Sequence, residues 1–255
     1  MKIEVPDSHP RAKSIRVREN LIEKCHQNVV AQAGLIAHGR GEAFDYLLGE
    51  ITIPPAQESI RAAAAAFLLA KHPVLSVNGN VAALCPKEIV LLSQTIPAKL
   101  EINLFYRSQK RIKAIAKELK MAGASEILGI EKKYSTQLKN LESHRRIVDK
   151  RGIEIADLVF VPLEDGDRTE ALINNGKEVI TVDLNPLSRT AQKSHITIVD
   201  NIIRCVPLFI NEINLLKKSD MKTLKSIKTD FDNKKSIAKV LLHITQQLSR
   251  MAEES

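Results

Sequence analysis

The sequence predicts an α/β fold: a parallel sheet with helices on both faces, preceded by an N-terminal helical segment and followed by a C-terminal helix. Three observations carry this. Short apolar runs alternate with helix-length segments from about residue 71 to 216, the pattern of strand–helix–strand crossovers. Aromatic residues make up 4% of the chain and Trp is absent, so aliphatic side chains must fill the core, as in strands buried on both faces. The chain has 255 residues, which suits one large α/β domain or one domain with an appendage. A chain of that length buries roughly three quarters of the surface its unfolded form exposes.

Taken in order, Pro10 suits the opening of a helix, with Asp7 or Ser8 as cap. Leu21, Ile22, Cys25 and Val29 then recur at helical spacing, giving a first helix over about 11–31. Arg16 and Arg18 fall in its early turns, where a cation opposes the helix dipole unless an anion meets it. Residues 34–46 are punctuated by glycine and become helix-like, and 57–70 form an alanine-rich helix. A strand over 73–77 runs into Asn78-Gly79-Asn80, followed by a helix to about Leu92. Strands are then expected at 99–105, 158–161, 179–183 and 196–199, with a short extended piece at 126–130. Helices are expected at 108–122, around 135–149, at 168–175 and at 201–216, with a helical turn at 187–191. Residues 219–234 are polar and weakly periodic and read as a linker. Ile237, Val240, Leu241, Ile244, Leu248 and Met251 form an apolar stripe on a last helix, packed on its own domain or on a second subunit. The chain thus divides into 1–70, a helical segment; 71–216, the α/β core; 217–234, a polar linker; and 235–255, an amphipathic helix.

Composition narrows the function. Lys and Arg number 38 against 30 Asp and Glu, a net charge of +8, which favours anionic partners. Part of that charge sits in the lysine-rich stretch 217–235. Near-absence of aromatics argues against base stacking, and so against nucleic acid. The three cysteines, Cys25, Cys85 and Cys205, are widely spaced with no CxxC, which excludes a disulfide scaffold or structural zinc site and fits reduced thiols in the cytoplasm. The N-terminus has no apolar stretch of a signal peptide. The longest apolar run, 62–70, is far short of the roughly 20 residues a membrane span needs.

Four segments could carry chemistry. In His38-Gly39-Arg40-Gly41-Glu42, two glycines flank an arginine ahead of a helix-like stretch. As a loop, it would let backbone N–H groups approach an anion, Arg40 grip it in a two-pronged contact, and His38 and Glu42 handle protons, a metal or an amine. As a plain surface loop it would do none of this. Asn78 and Asn80 stand at a strand's carboxyl end, where ligands bind α/β sheets, though Asn-Gly is also a turn pair. Asp165, Asp167 and Arg168 follow another strand; the acids suit Mg²⁺, an amine or ribose, and equally suit helix capping. Asp183, Leu184, Asn185, Arg189 and Thr190, then Asn201 and Ile202, follow two successive strands. An Asp ending a strand often meets a ribose, and Arg189 and Thr190 suit phosphates. No Ser-His-Asp or Cys-His set can be drawn, and the histidines show no metal-ligand spacing.

Ser8-His9-Pro10-Arg11, the run from Gly34 to Tyr46, Asp165-Gly166-Asp167-Arg168-Thr169 and the run from Asp183 to Ala191 together resemble archaeal phosphopantothenate synthetase, the 4-phosphopantoate–β-alanine ligase family. The resemblance spans about 5–216 and is most specific over 34–46. It implies a Rossmann-like sheet, a homodimer, and an ATP-dependent amide ligase of coenzyme A synthesis. That reaction joins 4-phosphopantoate and β-alanine to 4′-phosphopantothenate, AMP and diphosphate, through an acyl adenylate, with Mg²⁺ expected. It places ATP contacts on Arg18, Arg40, Asp183, Leu184, Asn185, Arg189, Thr190, Asn201 and Ile202. His38, Glu42, Asn78, Asn80, Asp165, Asp167 and Arg168 are left as candidates for the second substrate, the amine or proton handling, with metal ligands unassigned. Gln192-Lys193-Ser194-His195 departs from the basic, threonine-rich stretch the family leads one to expect. A nucleotide-binding regulator with the same fold and no turnover is the alternative reading.

Overall fold

The structure, a computed structural model, describes residues 5–139, 141–163 and 166–254. Three helices come first: α1 (Ala12–His26), α2 (Gln32–Leu48) and α3 (Pro54–Leu69). The core follows as β1 (Pro73–Val77), α4 (Gly79–Leu84), α5 (Pro86–Thr95), β2 (Lys99–Ile102), α6 (Gln109–Met121), β3 (Ser135–Gln137), β4 (Ile147–Asp149), β5 (Leu158–Phe160), α7 (Gly166–Asn174), β6 (Glu178–Val182), α8 (Arg189–Lys193), β7 (Ile196–Ile198) and α9 (Ile202–Leu216). Two helices close it, α10 (Met221–Asp230) and α11 (Asn233–Glu253).

Five strands form one parallel sheet in the order β2-β1-β5-β6-β7, the α/β arrangement the alternation predicts. All five residues of the interior strand β1 are buried, as a strand covered on both faces requires. The chain leaves β1 towards β2 on one side and returns to β5 on the other. The carboxyl edge between β1 and β5 is therefore a topological switch point, where a crevice opens. Beneath it, Ala62–Ala66 of α3 are all buried, and five small side chains let that helix pack closely on β7, α9, α10 and α11. Phe67, Phe160 and Phe209 meet edge-on or tilted in the same core, concentrating the few aromatics where they bury most.

Several boundaries depart from the sequence reading. The first helix ends at His26 because Asn28 turns left-handed (φ 64°), and its N-cap is Arg11, with no side-chain cap from Asp7 or Ser8. The helix expected to run to Leu92 is divided at Cys85-Pro86, where proline cannot continue it. The extended piece near 126–130 is reduced to one bridge, Leu128 to Glu101. The expected polar helix around 135–149 is instead an antiparallel hairpin, β3 with β4, registered Ser135 to Asp149. That segment has no apolar stripe of helical period, and its β-branched Thr136, Ile147 and Val148 suit a pleat. The linker over 219–234 is largely α10, capped by Asp220, whose side chain accepts from Thr223 N at 2.7 Å. Leu224, Ile227 and Phe231, spaced three and four apart, seat it on the core; Lys222 and Lys225 face water, and Lys228 pairs with Glu178 at 2.6 Å. Helix α11 packs on its own domain through Ile237 and Val240, but Leu248 and Met251 at its far end are exposed.

Candidate functional site

A cavity of about 590 Å³ opens at the carboxyl edge of the sheet, over the switch point. Its floor comes from the strand ends: Asn78 to Asn80 after β1, Leu104 to Tyr106 after β2, Leu163 after β5, Asp183 to Asn185 after β6, and Asn201 and Ile202 after β7. Five helices, α2, α4, α7, α8 and α9, begin at its wall. A helix start brings partial positive charge and N–H groups that have no partner within the helix. Arg40, Arg111, Arg145 and Arg189 also line it, and Asp183 is the one carboxylate among the described lining residues. Such a wall suits a ligand carrying several negative charges.

The segment His38–Glu42 is not a loop. Helix α2 runs straight through it, so its inner backbone N–H groups serve the helix and not a ligand. The helix instead presents a face: Gly34, Ala37, His38, Gly41 and Phe44 recur at three- and four-residue intervals along the cavity wall. Arg40 lines the cavity as well, exposed, with no hydrogen bond or ion pair to the described residues. Glu42 points the other way, accepting from Ser14 Oγ at 2.9 Å and from Arg18 Nε at 2.8 Å. Arg18 therefore stands outside the cavity lining, and the Glu42 carboxylate raises its pKa further. His38 Nε2 is 4.0 Å from Glu42, and burial lowers the imidazole pKa, outweighing that carboxylate and keeping the ring neutral near pH 7.

At the other side, Asp183 accepts from Asn185 N at 2.9 Å and from the Ser188 hydroxyl. Burial pushes its carboxyl up, opposed by those bonds and by the nearby Arg40 charge. Ser188 in turn caps α8, accepting from Ala191 N at 3.0 Å, which presents Arg189 and the buried Thr190 to the cavity. Arg189 also pairs with Asp167 at the rim. Asn201 caps α9 by accepting from Ile203 N at 3.1 Å, while its amide donates to Asp45 at 3.0 Å. Arg204 grips Asp45 at 2.6 and 3.0 Å and Asp200 at 2.6 Å, and Thr52 donates to Asp200 at 2.6 Å. This buried network fixes the start of α9 to α2 across the sheet edge.

The remaining candidates divide. Asn78 lies in the lining, but its side chain is committed: Oδ1 accepts from Val81 N at 3.0 Å, and Nδ2 donates to the carbonyls of Pro162 at 3.2 Å and Leu163 at 3.0 Å, bridging the switch point. Asn80 donates to Gly34 O at 2.9 Å, joining α4 to α2. Arg168 is fully buried, donates to Ser76 Oγ at 3.0 Å and is not among the lining residues. Asp167 is exposed and outside the lining. Asp165 lies outside the described residues.

Sequence reasoning missed Arg111 and Arg145. Arg111 sits in the first turn of α6 and donates to Tyr106 O at 2.7 Å and Val29 O at 3.0 Å. Burial lowers its pKa from the ordinary arginine value. Arg145, 8% exposed, arrives on the hairpin segment read as a helix. Arg111 follows a strand end, a signal that could have found it; Arg145, in a run of basic residues, offered none. Among the described residues no group of three His, Cys, Asp or Glu could enclose a metal ion, and no helix is long and apolar enough to cross a membrane.

Comparison with known proteins adds an independent finding. The family model described as phosphopantothenate/pantothenate synthetase matches residues 55–247. A 4-phosphopantoate–β-alanine ligase of Thermococcus kodakarensis is 54% identical over 253 residues, spanning 99% of this chain and 96% of that protein. Proteins of the same name from Thermococcus onnurineus and Methanosarcina mazei are 53% identical (98% and 96% covered) and 44% identical (99% and 98% covered).

Proposed function

The chain belongs to the phosphopantothenate/pantothenate synthetase family, and from that membership we propose that its cavity joins 4-phosphopantoate and β-alanine to 4′-phosphopantothenate, consuming ATP and releasing AMP and diphosphate. The observation that carries the reading is the meeting of five helix starts and four arginines over one crevice. A triphosphate and a second phosphate must be held side by side, and that demands such a concentration of positive potential.

The cavity has two ends to divide between them. Arg40, Asp183, Leu184, Asn185, Arg189, Thr190, Asn201 and Ile202 line the end assigned to ATP. The α2–α4–α6 end, with Asn78, Asn80, Arg111 and Arg145, is assigned to 4-phosphopantoate. In that division Asn78 and Asn80 shape the floor with committed amides, while the two arginines hold the substrate phosphate. Arg18 acts through Glu42 and α2.

A carboxylate is a poor electrophile, so it must first be activated. A pantoate carboxylate oxygen attacks the α-phosphorus of ATP, the bond to the bridging β-oxygen breaks, and diphosphate leaves. The β-alanine amine then attacks the acyl carbon, the acyl–oxygen bond breaks, AMP leaves, and one ammonium proton passes to a base. His38, neutral and in the wall, is the lining group suited to receive it. Alignment of the two substrates supplies much of the rate. Mg²⁺ commonly binds through substrate phosphates and one or two carboxylates. The lining fits that mode: Asp183 would supply the carboxylate, and no protein cage would be needed. The ion would neutralise triphosphate charge.

Two coarser features complete the reading. The chain works as a homodimer, for which the exposed Leu248 and Met251 offer apolar surface. It works in the cytoplasm, which its three free cysteines suit. The test is direct: folded protein with ATP, Mg²⁺, 4-phosphopantoate and β-alanine should form AMP and 4′-phosphopantothenate, each organic substrate being required. ATP binding without AMP would favour the regulator instead.

A further inference from the structure

The hairpin that brings Arg145 to the cavity hangs from the edge strand β2 by two side chains on one face. Asn103, just past β2 and fully buried, donates its amide to Arg145 O at 3.1 Å and Ile147 O at 3.0 Å. Glu101, two residues earlier and also fully buried, accepts Asp149 N at 3.0 Å and Ile153 N at 2.7 Å. The chemistry is complementary in sense: the donor amide meets carbonyls, and the acceptor carboxyl meets N–H groups. Residues two apart on an extended strand share a face, so both grips act on one side of β2. Gly152 passes so close that a β-carbon there would stand 2.1 Å from Glu101 Oε2, so any side chain at 152 would meet the carboxyl.

Hairpin β3–β4 has three residues per strand, too few to be stable alone. Its place is therefore set by what it hangs from. We propose that Asn103, assisted by Glu101, is a positioning residue: it sets the backbone of Arg145 so that the guanidinium reaches the substrate phosphate. This rests on the assignment of Arg145 to 4-phosphopantoate. Neither Asn103 nor Glu101 lines the cavity, so any effect on substrate must pass through the hairpin.

The experiment is a double-mutant cycle on steady-state kinetics. Arg145→Ala should raise KM for 4-phosphopantoate at least tenfold and leave KM for ATP within twofold. Asn103→Ala, which frees both carbonyls, should show the same selective rise, and Asn103→Ser, with one donor left, a smaller one. In the Arg145→Ala background the Asn103 substitutions should add less than twofold. Asn103→Asp, an isosteric reversal of the donor, should exceed Asn103→Ala; if it does not fold, the Ala and Ser variants still decide. If Arg145→Ala acts as stated but the Asn103 variants leave KM for 4-phosphopantoate unchanged, shift both KM values alike, or act equally in both backgrounds, the positioning role is overturned and the Arg145 assignment stands. If Arg145→Ala itself leaves that KM unchanged, the assignment falls and the positioning role with it.

Discussion

The backbone of Val29 passes so close to Gly79 that a β-carbon on Gly79 would stand 2.2 Å from the Val29 carbonyl oxygen. The same carbonyl accepts from Arg111 at 3.0 Å. One close approach therefore joins the turn after α1, the start of α4 and an arginine of the cavity wall. A backbone atom cannot swing aside as a side chain can. Gly79→Ala should cost about 1–3 kcal/mol, as overpacking does. It should also weaken 4-phosphopantoate binding by displacing Arg111. Denaturant unfolding and substrate KM read the two effects; an unchanged midpoint would show that the contact is loose.

Gly39 gives the opposite forecast. It lies inside α2, and a β-carbon there would meet nothing within 4 Å. Gly39→Ala should stabilise by about 0.5–1 kcal/mol, because glycine in a helix interior loses more chain entropy than alanine. In a chain of this size that is a rise of roughly 1–4 °C in Tm. A fall in Tm would mean that the segment is not helical where the enzyme needs it.

The alternation of apolar runs made the sheet legible, because strands buried on both faces leave signals such as Val179-Ile180-Thr181-Val182, all buried. Asp183, Asn185 and Asn201 were legible as cavity residues for the same reason, since each follows such a strand. Glycine punctuation misled at 34–46: it read as a loop, whereas Gly34 is small so that α2 can lie close to Asn80. The helix α10 was hidden by its lysines, three apolar contacts being too sparse to show a period. Arg168 and Arg145 could not be told apart in sequence. Which basic residue turns inward depends on tertiary pairing, with Ser76 for one and with the hairpin's attachment to β2 for the other.

Arg40 and Arg18 should separate cleanly. Arg40 is exposed and holds no ion pair with the described residues, so Arg40→Ala should change stability by less than about 0.5 kcal/mol, as surface substitutions do. A charged hydrogen bond is worth roughly 1.5–3 kcal/mol, so kcat/KM for ATP should fall about 10- to 100-fold. Arg40→Lys keeps the charge but loses the fork and should recover only part. Arg18→Ala should act mainly through α2, lowering Tm as Glu42 loses its partner. Equal losses of stability and activity in Arg40→Ala would make that residue structural.

Arg204 holds two buried carboxylates, Asp45 and Asp200, together. Arg204→Met leaves both uncompensated and should cost about 3–5 kcal/mol at neutral pH. Burial already pushes the Asp200 carboxyl up. Without the arginine it should protonate more readily still, so the deficit should shrink on going from pH 8 to pH 5. Urea unfolding at both pH values checks this. A deficit independent of pH would point to lost packing instead of stranded charge. KM for ATP should rise as well, because Asn201 takes its orientation from Asp45.

Glu101 should make stability itself depend on pH. Burial is the largest influence on its carboxyl and pushes the pKa to about 7, against the pull of the Asp149 and Ile153 amides and of Arg168, with Asp149 adding a smaller upward push. Arg107 and Lys177 also lie within its field. In the unfolded chain the group titrates near the ordinary glutamate value. Between the two values the folded state holds the extra proton, so stability falls as pH rises. Its contribution is fully present below the unfolded pKa and is lost as pH climbs through about 7. A shift of that size corresponds to about 3 kcal/mol. Glu101→Gln keeps the shape and removes the titration. The unfolding free energy of the parent protein should therefore decline between pH 5 and pH 8 relative to Glu101→Gln. Parallel pH profiles for the two proteins would show instead that Glu101 stays charged in the fold, its two amide bonds outweighing its burial.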